Sequence, residues 1–161
     1  MSRRWVVNAS PLILLGKVGR TDLLSQLTDE LIVPAAVVRE IGIQPEGRRL
    51  LDLLQSTASV RIGEECLIPS IVEGWNLGQG ESQVLALAVS HSVGRAVLDD
   101  LQARRCALSL DVPVIGTLGV ILRAKRRGLI AEARPVVDAV RRAGLYASES
   151  LVERALLHLG E

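Results

Sequence analysis

Four acid-type positions stand far apart in this 161-residue chain, at Asn8, Glu40, Glu81 and the pair Asp99–Asp100. Each falls where an alternating α/β fold brings it towards one edge of a sheet, since ligands of such folds sit beyond the carboxyl ends of the strands. Oxygens gathered this way form a metal cage suited to phosphodiester chemistry. Two carboxylates about 4 Å apart repel by roughly 4 kcal/mol at an effective dielectric near 20, so a divalent cation or raised pKa values must relieve them. Oxygen ligands without His or Cys nearby select Mg²⁺ or Mn²⁺ over Zn²⁺. Such an ion positions and activates water for in-line attack on phosphorus. The first member of the set is an amide where an acid is expected.

Each position also has a purely structural reading. Glu81 stands in the first turn of its helix, where the dipole favours a carboxylate, and Asp100 is placed to cap the helix starting at Leu101. Glu40 is harder to explain without a ligand, because it lies in the last turn of its helix, where negative charge is disfavoured. Asp99 directly follows a strand, which favours a site role.

The elements that must position these residues are short apolar runs alternating with helical patterns, the mark of a mostly parallel sheet covered by helices. Strands are expected at Trp5–Val7, Leu31–Val33, Arg95–Leu98 and Val112–Ile115, with Ser59–Ile62 an extra strand or extended piece. Ser10-Pro11 has the order of an N-cap and first helical residue. Further helices are expected at Ala35–Ile41, Gly47–Gln55, Glu81–Ser90, Leu101–Leu110, Thr117–Arg127, Ala131–Ala143 and Ser148–Leu159. Residues 63–80 read as a loop with about one helical turn. No repeat, low-complexity tract or linker divides the chain, so residues 1–161 are read as a single domain on which the helices at 131–159 pack.

A hydrophobic content of 48% is enough for a sizeable core. Aromatic residues are scarce, with no Phe, one Tyr and two Trp, which argues against modules that stack bases on aromatic platforms. The net charge of +1 gives no reason by itself to invoke nucleic acid. Its distribution is uneven, about −2 over residues 1–94 and +3 beyond. Arg123 and Arg127 stand four apart on a helix, where a phosphate backbone could lie, although cations also complement a helix end. Cys66 and Cys106 have neither metal-ligand nor disulfide-framework spacing, so a reducing cytoplasm is the default. The apolar run after Trp5 is interrupted by Asn8, Ser10 and Pro11, unlike a signal peptide, and no stretch approaches a membrane span.

The segments VVNASPLILLGKVGRTDLL, LIVPAAVVREI, LGQGESQVLALA, VLDDLQARRCA and DVPVIGTLGVILRAKRRGLI occur in that order over nearly the whole chain. Together they resemble a little-characterised prokaryotic branch of the PIN-domain family. The resemblance implies a three-layer α/β/α fold and a Mg²⁺- or Mn²⁺-dependent ribonuclease acting on single-stranded RNA. Many such proteins are toxins of toxin–antitoxin pairs and form homodimers, so an antitoxin protein and a second copy are the implied partners. Carried over by position, the family's acidic site falls on Asn8, Glu40, Glu81 and Asp99 or Asp100, with Ser10 and Thr117 at its border. Helix capping would also account for both hydroxyls. The departure lies at position 8, where the family usually has Asp; an amide brings no charge and is a poorer Mg²⁺ ligand.

The alternative is a PIN-like module that has lost catalysis and binds RNA or protein. A nucleotide-binding or phosphatase domain is disfavoured. The run Gly16-Lys17-Val18-Gly19 is not a P-loop, Gly78-Gln79-Gly80 lacks a third glycine, and the first strand ends without a nucleophilic Asp. For a dimer, the stripe Val152, Leu156 and Leu159 is a candidate contact, which core packing explains equally well.

Overall fold

The computed structural model describes residues 2–161. Five strands, β1 (Arg4–Val7), β2 (Glu30–Pro34), β3 (Val60–Gly63), β4 (Arg95–Val97) and β5 (Val114–Ile115), form one sheet in the order β3-β2-β1-β4-β5. Every pairing is parallel. The expected mostly parallel sheet is therefore wholly parallel, and the ambiguous stretch at 59–62 is its edge strand. Central strands buried on both faces read as continuous apolar runs, and Val6, Val7, Ile32, Val33, Ala96 and Val97 are all fully enclosed.

Helices α1 (Ala9–Lys17), α2 (Asp22–Leu27), α3 (Ala35–Ile41), α4 (Pro45–Gln55), α5 (Ser70–Glu73) and α6 (Gln79–Ser90) precede β4. Helices α7 (Leu101–Ser109), α8 (Thr117–Arg126), α9 (Arg134–Ala143) and α10 (Glu149–Leu157) follow it. The short α2 was not expected from the sequence, and α5 is the single turn expected within the 63–80 loop. The chain leaves β1 for β2 on one side and later places β4 on the other. That reversal opens a crevice between the ends of β1 and β4, the switch point at which doubly wound sheets bind ligands.

The last two helices share the core of the sheet. Val137, Val140, Val152 and Leu156 belong to the same buried cluster as the strands. Both Glu161 carboxylate oxygens accept backbone N–H bonds at the start of α9, from Ala133 at 2.7 Å and Arg134 at 2.8 Å. Such a carboxylate satisfies the unpaired amides of a helix N-terminus. The stripe considered for a dimer contact is thus spent inside the chain: Val152 and Leu156 are buried and Leu159 packs against them. No helix among the described residues is long and apolar enough to cross a membrane.

Candidate metal centre

Asn8 ends β1 and stands as the residue before α1, with extended backbone at φ −85° and ψ 171°. Its N–H donates to the Val97 carbonyl at 3.1 Å, which continues the β1–β4 ladder into the crevice. The side chain caps nothing, and its Oδ1 is buried without a hydrogen-bond partner. A buried acceptor left unpaired costs about 1–3 kcal/mol, so this oxygen is either a liability or held for something absent. Helix α1 begins one residue before Ser10, so Ser10 lies inside the helix instead of capping it.

Glu40 comes from the last turn of α3 and meets Asn8 at Gly80 in the first turn of α6. A Cβ placed at Gly80 would sit 2.9 Å from Glu40 Oε2 and 3.3 Å from Asn8 Oδ1. Both oxygens therefore face one small volume that only glycine leaves open. It adjoins a cleft of about 420 Å³ lined by Asn8, Arg39, Glu40, Gly78 and Glu81. Arg39 at its rim is paired with Glu65.

Glu81, the third residue of α6, accepts the Gly78 N–H at 3.2 Å through Oε2, half of a capping box. Burial first, then the negative charge of Asp100, and less strongly that of Glu40, raise its carboxyl above the usual range against the Gly78 bond. Glu81 is thus within electrostatic reach of both other acids. Asp100 caps α7 through Oδ2, which accepts the Ala103 N–H at 2.9 Å, and the residue is otherwise exposed at the crevice.

Asp99 faces another way. Its Oδ2 accepts the Thr117 hydroxyl at 2.6 Å and the Ser10 hydroxyl at 3.2 Å, and Oδ1 accepts the Thr117 N–H at 2.7 Å. Gly116, not Thr117, precedes α8 as its cap, so the Thr117 hydroxyl is spent on Asp99 and not on the helix end. One carboxylate ties the starts of α1 and α8 to the end of β4. A Cβ at Gly116 would lie 3.0 Å from Asp99 Oδ1 and 2.6 Å from Arg104 Nη1, so this second glycine makes room for a guanidinium beside the carboxylate.

Arg123 and Arg127 do not join this group. Helix α8 starts at the crevice with Thr117 and runs back towards the opposite edge of the sheet, carrying both arginines away. The helix face on which a phosphate backbone could lie is thus apart from the acidic crevice.

A model of the PIN-domain family matches residues 4–161. The chain belongs to the PIN-domain family. PAE2754 from Pyrobaculum aerophilum, a solved structure, is similar with a TM-score of 0.53 and 15% identity, over 76% of this chain and 97% of that one. At that identity the likeness speaks for the fold. Among curated proteins no match was found.

PIN domains are generally divalent-metal-dependent nucleases, and the residues of this one can be tested for fit. Among the described residues, no three His, Cys, Asp or Glu side chains converge into a ready-made metal cluster. What converges instead is one carboxylate oxygen and one unpartnered amide oxygen, with two further carboxylates at longer range. That set fits Mg²⁺ or Mn²⁺, since Mg²⁺ keeps several waters and takes one or two carboxylates directly. Glu40 and Asn8 are the residues that would hold such an ion directly, with Glu81 and Asp100 at longer range. Sequence reasoning missed Gly80, Gly116, Arg39 and Arg104; the glycines of the GQGES segment were the available signal.

Proposed function

We propose that this PIN domain is a metal-dependent endoribonuclease acting on single-stranded RNA, weakened by Asn8, and the toxin half of a toxin–antitoxin pair. The observation that carries the catalytic reading is the buried, unpartnered Asn8 Oδ1 facing the same small volume as Glu40 Oε2. A cation, when bound, supplies charge neutralisation at the phosphodiester and an activated water for in-line attack. Glu40 provides full negative charge at the site and Asn8 a neutral oxygen. Glu81, whose carboxyl holds its proton more tightly than usual, is suited to receive or return a proton near the leaving oxygen. Asp99 fixes the relative placement of α1 and α8 through Ser10 and Thr117. The toxin role, the antitoxin partner, a homodimer and a cytoplasmic location rest on the family resemblance alone.

Labelled single-stranded RNA incubated with Mn²⁺ and the wild type, Glu40→Gln or Asn8→Asp tests this reading. Cleavage by wild type, loss in Glu40→Gln and a gain in Asn8→Asp are expected, with Mn²⁺ affinity following the same order by electron paramagnetic resonance. Equal cleavage by wild type and Glu40→Gln would refute it. A second reading, a binding module without catalysis, is favoured because no three acids converge among the described residues. It is the outcome if neither wild type nor Asn8→Asp cleaves while RNA is still bound.

A further inference from the structure

The edge of the sheet opposite the acidic crevice gathers arginines from three separate segments. Arg3 directly precedes β1, Arg95 opens β4, and Arg123, Arg126 and Arg127 stand at the end of α8. The Trp5–Arg95 register and the Gly94 N–H donated to the Arg4 carbonyl at 2.8 Å fix the first two at the same edge. Arg3 is paired with Asp29 at 3.1 Å. Arg4 and Arg61 at that edge share Glu30. Among the described residues, Arg95, Arg123, Arg126 and Arg127 have no carboxylate within ion-pair distance.

A helix C-terminus accounts for cations in its own last turn, and Arg123, Lys125 and Arg126 are so placed. It does not account for Arg95, which comes from another element. Lys125 is already occupied, bridged to Glu161 at 3.3 Å. Burial first, and then the nearby positive charges of Arg95, Arg127, Arg3 and Arg126, hold the Arg123 guanidinium below its ordinary value. Mutual repulsion retained in a fold without a compensating acid points to an anion supplied from outside.

We propose that these arginines form a docking site for the phosphate backbone of single-stranded nucleic acid, separate from the acidic crevice and connected to it along α8. The choice of nucleic acid as ligand rests on the ribonuclease reading. It is also favoured over an acidic polypeptide by the surroundings, because no exposed large hydrophobic side chain belongs to the segments at 3–4, 94–95 or 123–127. Protein partners are gripped by such anchors, whereas planar guanidinium forks match phosphate oxygens. Helix α8 has ten residues, about 15 Å at 1.5 Å per residue, so only a strand several nucleotides long reaches both sites.

The test is fluorescence anisotropy of a labelled single-stranded RNA long enough to span α8, in EDTA and across a potassium chloride series. Working in EDTA separates this inference from the nuclease reading, since binding is scored whether or not the acidic edge cleaves. Each phosphate contact contributes a slope of about 0.7 to the salt dependence, so Arg126→Glu/Arg127→Glu is expected to lower the slope by about 1.4 and weaken binding on the order of 25-fold near 0.1 M salt. The single variant Arg95→Gln, checked by circular dichroism, is expected to lower the slope by about 0.7. Unchanged affinity in both variants, no RNA binding by the wild type, or equally tight binding of polyglutamate would each overturn the site.

Discussion

Gly80→Ala separates what the fold needs from what the site needs. Gly80 lies in the first turn of α6, and replacing helical Gly by Ala is worth about 0.5–1 kcal/mol in its favour. The new methyl would approach Glu40 Oε2 at 2.9 Å, Asn8 Oδ1 at 3.3 Å and Val37 Cγ2 at 3.4 Å. The closest of these is the far end of a flexible side chain, which can rotate away at little cost. For a domain of this size the helix gain corresponds to a rise in Tm of about 2–4 °C per kcal/mol, and the forced movements offset part of it. The expected melting temperature is therefore equal to or slightly above that of the wild type. Glu40, however, must leave the volume it shares with Asn8, and a displacement of about 1 Å at a reacting centre costs on the order of 10²-fold in rate. Mn²⁺ titration and RNA cleavage, run beside a thermal melt, read the two effects separately. Full Mn²⁺ affinity in a normally folded Gly80→Ala protein would show that the Asn8–Glu40 convergence holds no ion.

Thr117→Val keeps the shape of a fully buried residue and removes its hydroxyl bond to Asp99. Hydrogen bonds to charged groups contribute about 1.5–3 kcal/mol, so urea denaturation should show a loss of that order, with cleavage reduced. Burial opposes ionisation of Glu30, but Arg61 and Arg4 outweigh it and hold its carboxyl below the ordinary value. Its stabilising effect is thus present at neutral pH and lost as pH falls through that depressed value. In Glu30→Gln the neutral-pH stability should drop by about 1 kcal/mol or less, and the acid limb of the melting curve should flatten. Glu81 has the opposite sign. With its folded value raised, it binds a proton more tightly in the folded than in the unfolded chain, so ionisation at neutral pH costs stability that returns as pH falls. Metal-free Glu81→Gln should melt higher than wild type at neutral pH and lose that advantage in mild acid; an unchanged difference across the pH range would refute the assignment.

The placement of Asn8 and Asp99–Asp100 at one sheet edge was legible because strand ends are local features, whereas Glu40 and Glu81 come from helices α3 and α6. An apolar run stops, a polar residue follows, and in a parallel sheet every such stop lies on the same side. What each oxygen touches was not legible. Asp99 is turned inward by a hydroxyl eighteen positions later, and only the closed fold brings Thr117 to it. The same holds for the α10 stripe. Its period announced an apolar face, but the partner of that face, the core shared with α9, is set by long-range packing.

Arg123 and Arg127 show a distinction that the sequence did contain. Helix α8 returns antiparallel to β5, so the residues at its C-terminal end lie towards the amino edge of the sheet, whereas the short α3 leaves Glu40 at the carboxyl edge beside Asn8. Strand β1 is about 13 Å long at roughly 3.3 Å per residue over four residues. Asn8 and the arginines are therefore held at opposite edges of the sheet. Charge at one edge cannot replace the charge that Asn8 fails to supply at the other. If RNA engages both edges, the arginines contribute affinity and the crevice contributes chemistry, and Asn8→Asp should change cleavage and metal affinity while leaving the salt slope of RNA binding in EDTA where it was.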